Sequence, residues 1–358
     1  MKEGSEKIET ATQAQLSGSA RSTFRRTLVV CLILLFVLLC AVVIASIIGS
    51  QRLPISSTLC ALLTNGSEAC GLTPQQRAIL LDIRLPRILL AATVGASLAA
   101  AGAAYQALLR NPLAEPYLLG VSNGAAVGTM IALVFFGPGE EGAWEWMRPV
   151  LAFAGALVAT FAVYQLARGR TGATPERLIL AGVIVTTFLS SAIVFITTLM
   201  DATRIRSFTF WLLGDLSGTS SALLGLSVLA ALTGCAVLTF NARSLNLLML
   251  GERDAFDLGV EVTRVRLMVF LAASLLVGAS VASSGSVGYV GLVVPHLVRL
   301  SFGSDNRVAI PAAALAGGLF VIVADTVART IIAPRELPVG AITALIGAPL
   351  FIYLLRRG

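Results

Sequence analysis

The chain of 358 residues is 56% hydrophobic and 13% charged, with a mean hydropathy of +0.88. A soluble domain keeps about a quarter of its residues charged, so these proportions exclude one and require a polytopic membrane protein. The net charge of +7 reflects membrane orientation and gives no sign of nucleic-acid binding.

Residues 1–27 are polar, rich in Ser, Thr, Gln and Glu, and are expected to form a disordered cytoplasmic tail. The apolar run 28–49 is too long for a signal-peptide core and reads as the first span. A membrane span needs roughly 20 apolar residues, and on that measure spans 2 to 10 fall at 88–109, 118–137, 149–167, 178–199, 219–240, 267–284, 287–302, 309–328 and 338–355. With the N-terminus inside, the cytoplasmic side carries 17 Lys/Arg against 10 Asp/Glu, and the outer side 9 of each, when Arg299 is counted inside and Asp325 outside. This bias obeys the positive-inside rule and returns Arg356 and Arg357 to the cytoplasm.

Span 2 contains Gly95-Ala-Ser-Leu-Ala-Ala-Ala-Gly102, and span 7 repeats it as Gly278-Ala-Ser-Val-Ala-Ser-Ser-Gly285. The register continues through Leu109 and Leu292, Pro112 and Pro295, and Gly120 and Gly303. The two copies lie an odd number of spans apart and so run in opposite directions. The expected fold is therefore all-α, with ten transmembrane helices and inverted repeats in spans 2–5 and 7–10, a pattern that places a transport path at the repeat interface.

The loop 50–87 lies outside and holds Cys60 and Cys70. An oxidising compartment permits a disulfide there, although two thiols in one loop need not meet. Cys31, Cys40 and Cys235 fall in spans and read as small apolar residues. At the end of this loop stands Arg84-Leu-Pro-Arg87, and Asp325-Thr-Val-Ala-Arg329 ends span 9 on the same side. Arginines at span ends often snorkel to headgroups; two aimed by an intervening proline also suit a partner's carboxylates.

On the inside, Asn111-Pro112 and Glu115-Pro116 stop one helix and Ser122-Asn-Gly124 starts the next. The loop 241–266 is too polar to span. Glycines at 251 and 259 can divide it into short helices, and its mixed charges (Glu252, Arg253, Asp254 and Asp257) suit a protein surface better than anionic lipid.

Several chemistries are missing. The chain has no G-x-x-x-x-G-K-[ST] phosphate loop, and clusters such as Gly285-Ser-Val-Gly288-Tyr-Val-Gly291 suit helix packing in lipid. Carboxylates within spans are scarce, which argues against proton or sodium coupling and for an external energy source. The one histidine, His296, follows Pro295 without Cys, Asp or Glu neighbours; it is a poor metal ligand and reads as structural at a proline break. No nucleophile–base pair suggests an enzyme, and neither a metal nor a cofactor is expected.

The motifs Arg84-Leu-Pro-Arg87, Asn111-Pro-Leu-Ala-Glu-Pro116, Leu119-Gly-Val-Ser-Asn-Gly124, Leu250-Gly-Glu-x-x-Ala255-x-x-Leu-Gly259, Gly291-Leu-Val-Val-Pro-His296, Asp325-x-x-x-Arg329, Glu336-Leu-Pro-Val-Gly340 and Gly347-Ala-Pro349 occur in that order. Over residues 28–358 the chain resembles the membrane permease subunit of type II ABC importers, the FecCD-like family of iron-siderophore, haem and cobalamin permeases. The resemblance implies a non-catalytic permease of a bacterial inner membrane, with both termini cytoplasmic and two copies forming a homodimer.

It further implies cytoplasmic ATPase subunits engaging the helices around Gly251, Glu252, Ala255, Leu258 and Gly259. A periplasmic binding protein would dock its glutamates on Arg84, Arg87 and Arg329, and the cytoplasmic gate would fall at Thr174, Pro175 and Glu176. Several relatives carry small Ser or Thr at that turn, where Pro175-Glu176 is bulkier. The expected cargo is an iron complex, with cobalamin as the alternative. A proton-coupled carrier or a receptor-like membrane protein would have no use for the Gly251–Gly259 element.

Overall fold

Helix follows helix through the described part of the chain, residues 2–49, 51, 53–64, 70–136, 143–169, 172–217 and 220–357, in a computed structural model. Helix α1 runs Lys2–Ile47, so it takes in the polar leader that composition marks as disordered. That leader contains no proline, and a helix nucleated in an apolar segment propagates at one hydrogen bond per residue.

The loop expected outside folds, in its described residues, as α2 (Ile55–Leu63) and α3 (Pro74–Ala78). Thr73 and Gln76 close a capping box at the start of α3, and Pro74 sits at its first position. A π-helical turn, Ile79–Arg84, then leads into α4 (Leu85–Leu108). Pro86 has no amide proton for the Asp82 carbonyl, and a widened turn before it accommodates that loss.

The remaining elements are α5 (Val121–Phe136), α6 (Ala143–Ala167), α7 (Pro175–Thr198), α8 (Ala202–Leu212), α9 (Ser221–Phe240), α10 (Ala242–Leu250), α11 (Glu252–Asp257), α12 (Val262–Ser284), α13 (Val290–Phe302), α14 (Asn306–Thr330) and α15 (Val339–Arg357). Two-residue strands β1 (Arg168–Gly169) and β2 (Gly172–Ala173) pair antiparallel between α6 and α7. The apolar helices appear in the expected order. Among the described residues, seven are long and apolar enough to cross a membrane: Ser22–Ile47, Pro74–Leu108, Trp146–Ala167, Pro175–Thr198, Ser221–Phe240, Val262–Ser284 and Asn306–Thr330. The segments α5, α13 and Val339–Tyr353 are shorter.

The repeats explain the packing. Almost every residue of α4 from Val94 to Leu108 is buried, and its Gly and Ala content lets neighbouring backbones approach closely. A methyl group at Gly95 would collide with the backbone of Gly317 and Gly318 in α14, and one at Gly102 with Gly291 in α13. In the second repeat, Gly278 of α12 faces Ala156 and Phe153 of α6. Each half's first helix thus packs on the other half's third, and the two halves interlock. By contrast α7 and α9 turn Phe188, Phe195, Leu232 and Phe240 outward, as a lipid-facing or partner-facing surface requires.

Candidate functional site

At the end of the bundle expected to face outward, Arg84 is only 5% exposed. Its guanidinium donates to the Ser46 carbonyl at 2.7 Å and the Gln51 carbonyl at 3.0 Å, so it caps the C-terminal end of α1, where carbonyls lack helical partners. Arg87 donates through Nε to Asp325 Oδ1 at 2.9 Å and through Nη1 to Glu336 Oε2 at 2.6 Å. Arg329 Nε meets Asp325 Oδ2 at 2.9 Å. Asp325 is 1% exposed, and two cations balance its buried charge.

The three arginines expected to meet a docking partner are therefore held inside the chain, because each has a local acceptor in reach. Arg87 differs from the others in one respect. Its second acceptor, Glu336, has a side chain 46% exposed and lies where an incoming carboxylate could replace it. Among the described residues, Arg77, Arg206 and Arg335 are the exposed arginines of the segments expected outside.

The Cys60 and Cys70 sulfurs are bonded, with Cα atoms 5.5 Å apart. The bridge belongs to a small separate core with Leu53, Ala61 and Leu80. It holds the outer loop against the start of the α3–α4 segment.

Between the halves, the connection after α4 grips the break between α12 and α13. Glu115 Oε1 accepts the Tyr289 amide at 3.1 Å, and the Tyr117 hydroxyl both donates to the Val287 carbonyl and accepts its amide at 3.0 Å. Tyr289 has φ +68, a left-handed conformation unusual for a non-glycine residue that these bonds hold in place. Burial pushes the Glu115 carboxyl up, and the Tyr289 amide opposes the shift.

Asn111 forms a local turn, its side-chain oxygen accepting the Leu113 amide at 2.9 Å, while Pro112 is exposed. Pro295 does not break its helix, as its sequence position suggests it should. It lies buried inside α13, and the Gly291 carbonyl that it leaves unpaired faces the Gln106 side-chain amide at 3.4 Å. His296 is half-buried, and no group of three or more His, Cys, Asp or Glu able to hold a metal ion occurs among the described residues.

At the end expected to face the cytoplasm, the loop forms the two short helices its glycines predict. Gly251 has φ +149 and Gly259 φ +82, conformations that side chains resist. Helix α10 is tied to α14: the Asn246 amide donates to Asp305 Oδ1 at 2.7 Å and its oxygen accepts the Asn306 amide at 2.9 Å.

Helix α11 presents Phe256, 71% exposed, and Leu258 outward beside the exposed Arg253, Asp254 and Asp257. Ala255, expected at closest approach to a partner, is fully buried against the chain itself, because it lies on the inner side of a helix only six residues long. Glu252 pairs with Arg266 and, at 3.5 Å, with Arg110.

The gate candidates begin α7. Thr174 is the N-cap without a side-chain cap bond, Pro175 is buried at the first position and Glu176 is exposed. Nothing in its sequence context marks Arg266 for a role. It is buried, and its Nη1 donates to the Ala173 carbonyl at 2.6 Å, directly before these residues.

Comparison with known proteins agrees with this layout. The cobalamin import system permease protein BtuC of Halobacterium salinarum is 45% identical over 287 residues, covering 80% of this chain and 75% of the relative. The hemin transport system permease protein HmuU of Yersinia pestis is 42% identical over 281 residues, 78% of this chain and 83% of the relative. A solved structure assigned to a metal-chelate type ABC transporter in an inward-facing conformation superposes with a TM-score of 0.79 at 30% identity, covering 92% of this chain and 99% of that one. The profile of the FecCD transport family matches residues 24–357, so the chain belongs to that family and is a multi-pass permease subunit of an ABC importer.

Proposed function

We propose that the chain carries an iron complex, haem or a siderophore, inward across the cytoplasmic membrane, driven by ATP hydrolysis in a separate subunit and supplied by a binding protein outside. The observation that carries the coupling to an ATPase is α11, and the 42% identity to the Yersinia pestis hemin permease supports the cargo. A short helix with apolar Phe256 and Leu258 exposed among mixed charges, flanked by two glycines at positive φ, suits a cleft on a cytoplasmic protein better than lipid. Two copies enclose the path, each exposing its α7 and α9 faces, and both termini lie in the cytoplasm. The permease needs no cofactor of its own. The binding protein approaches the end marked by Arg335 and Glu336, where its carboxylates exchange with Glu336 for Arg87.

Cobalamin is the second reading, favoured by the 45% identity to the Halobacterium salinarum permease. Reconstitution with the cognate ATPase and binding protein, scored for uptake of labelled haem, ferric siderophores and cobalamin, tests both. ATP-driven uptake of a ferric complex or haem supports the first. Uptake of cobalamin alone selects the second, and uptake driven by a pH gradient without the ATPase overturns the importer reading.

A further inference from the structure

The importer reading leaves open how motion at α11 reaches the turn that opens α7. One side chain joins them. Arg266, on the second turn of α12, is buried and divides its guanidinium between two elements. Nη2 pairs with the Glu252 carboxylate at the start of α11, and Nη1 donates to the Ala173 carbonyl at 2.6 Å. Ala173 ends β2 and precedes Thr174, the N-cap of α7. Among the described residues, this is the hydrogen-bonded route from α11 to Ala173; Arg110, the second cation on Glu252, acts on Glu176 only through its charge.

The surroundings favour transmission over a local brace. The β1–β2 hairpin is only two residue pairs long, and Arg177 lies so close over Gly169 that a methyl group there would strike it. A pull on Ala173 therefore moves the hairpin and the first turn of α7 together. At the other end, Glu252 follows Gly251, whose φ of +149 marks the hinge between α10 and α11, while Asn246 anchors α10 to α14. Helix α11 can thus tilt about Gly251 while α10 stays fixed. The planar guanidinium holds two acceptors in fixed directions, which an ammonium point charge does not.

We infer that Arg266 is a positioning residue for coupling: displacement of α11 by its partner is passed through Glu252 and Arg266 to the Ala173 carbonyl and so to the turn Thr174–Glu176. The inference rests on the importer reading, so the wild-type complex is the first control. If wild-type proteoliposomes show no ATP-driven uptake, that reading fails.

With wild-type uptake established, Arg266→Gln is measured for co-purification with the ATPase, for ATP hydrolysis and for cargo taken up per ATP. The link predicts intact assembly and hydrolysis, with uptake per ATP falling about tenfold, the scale of one lost charged hydrogen bond. A purely stabilising contact would lower the yield of complex and leave uptake per ATP unchanged, and that result overturns the inference. Should Arg266→Gln fail to insert, Arg266→Lys and Glu252→Gln are read by the same ratio, each being expected to lower it.

The exchange Glu252→Arg with Arg266→Glu separates the two contacts. It keeps an ion pair but sets a carboxylate against the Ala173 carbonyl, so uptake per ATP should stay low. Full recovery in the exchange variant would show that the ion pair alone matters and that nothing passes to the turn.

Discussion

Arg87 and Asp325 meet at 2.9 Å although 238 residues separate them. One stands at the outer end of α4, the first helix of the first repeat, and the other near the end of α14 in the second. The pair fastens the interlocked halves at the outer face, and Arg329, four residues beyond Asp325, completes the charge balance.

Removing the shared carboxylate should therefore be severe. Asp325→Asn keeps the shape but leaves two buried guanidinium groups facing a neutral amide. Breaking a buried pair on one side costs about 3 kcal/mol or more. The expected outcome is a marked fall in thermal stability of the purified permease, partly recovered when Arg329→Gln is added.

The docking surface follows from which charges are free to move. Reversal of Arg84 together with Arg87 should lower the yield of folded permease, since one caps α1 and the other holds Asp325. Arg335→Glu, at an exposed position, should leave yield unchanged while slowing association with the binding protein, an effect that fades as salt is raised. Surface plasmon resonance at two ionic strengths checks it, and equal association rates for Arg335→Glu and wild type at low salt would rule out a docking role.

The bridge between Cys60 and Cys70 closes a ten-residue separation, and loss of such a loop closure costs about 2.5 kcal/mol. Cys60→Ser should make the outer loop more sensitive to added protease. It should also leave Cys70 open to a membrane-impermeant maleimide in intact cells. Labelling only after the membrane is opened would place this loop on the cytoplasmic side and reverse the helix map.

Much of this was legible in the residues, and the failures share a cause. The glycines of α4 announce close backbone approach, because no other residue permits it, and Gly251 and Gly259 announce the division into α10 and α11. What stayed hidden depends on contacts distant in sequence. Arg84 reads as a surface charge until the carbonyls of Ser46 and Gln51 come within reach. Pro295 reads as a break until Gln106, 185 residues from Gly291, faces the carbonyl left unpaired. Ala255 reads as the point of closest approach to a partner, yet it lies buried in the chain's own core; a single small residue does not reveal which neighbour packs on it.

Acid should loosen the inner anchor of α10. Burial alone would raise the Asp305 carboxyl, but hydrogen bonds from Arg307 and Asn246, with the Arg307 charge, outweigh it and hold the group below the usual carboxylate range. A carboxyl depressed in the folded state contributes stability that is present above its ordinary range and lost as pH falls through its folded value. Thermal melts taken downward from pH 5 should therefore show a decline in wild type that is smaller in Asp305→Asn. Equal slopes would show that Asp305 is not the group responsible.

The two faces of α11 make opposite predictions. Phe256 and Leu258 point outward, so Phe256→Asp with Leu258→Asp should spare folding and membrane insertion. It should abolish co-purification with the ATPase and, with it, ATP-driven uptake, because apolar anchors at the centre of an interface carry most of its energy. Ala255 is buried in the chain's own core, and a large side chain there overfills a packed site at a cost of about 1–3 kcal/mol. Ala255→Trp should therefore reduce the thermal stability of the isolated permease before any partner is added, as should Gly251→Val, which forces a β-branched residue to φ +149. Differential scanning fluorimetry of the permease alone, set beside pull-down of the ATPase, separates the two outcomes. Undiminished stability in Ala255→Trp combined with loss of the ATPase would instead assign Ala255 to the partner contact.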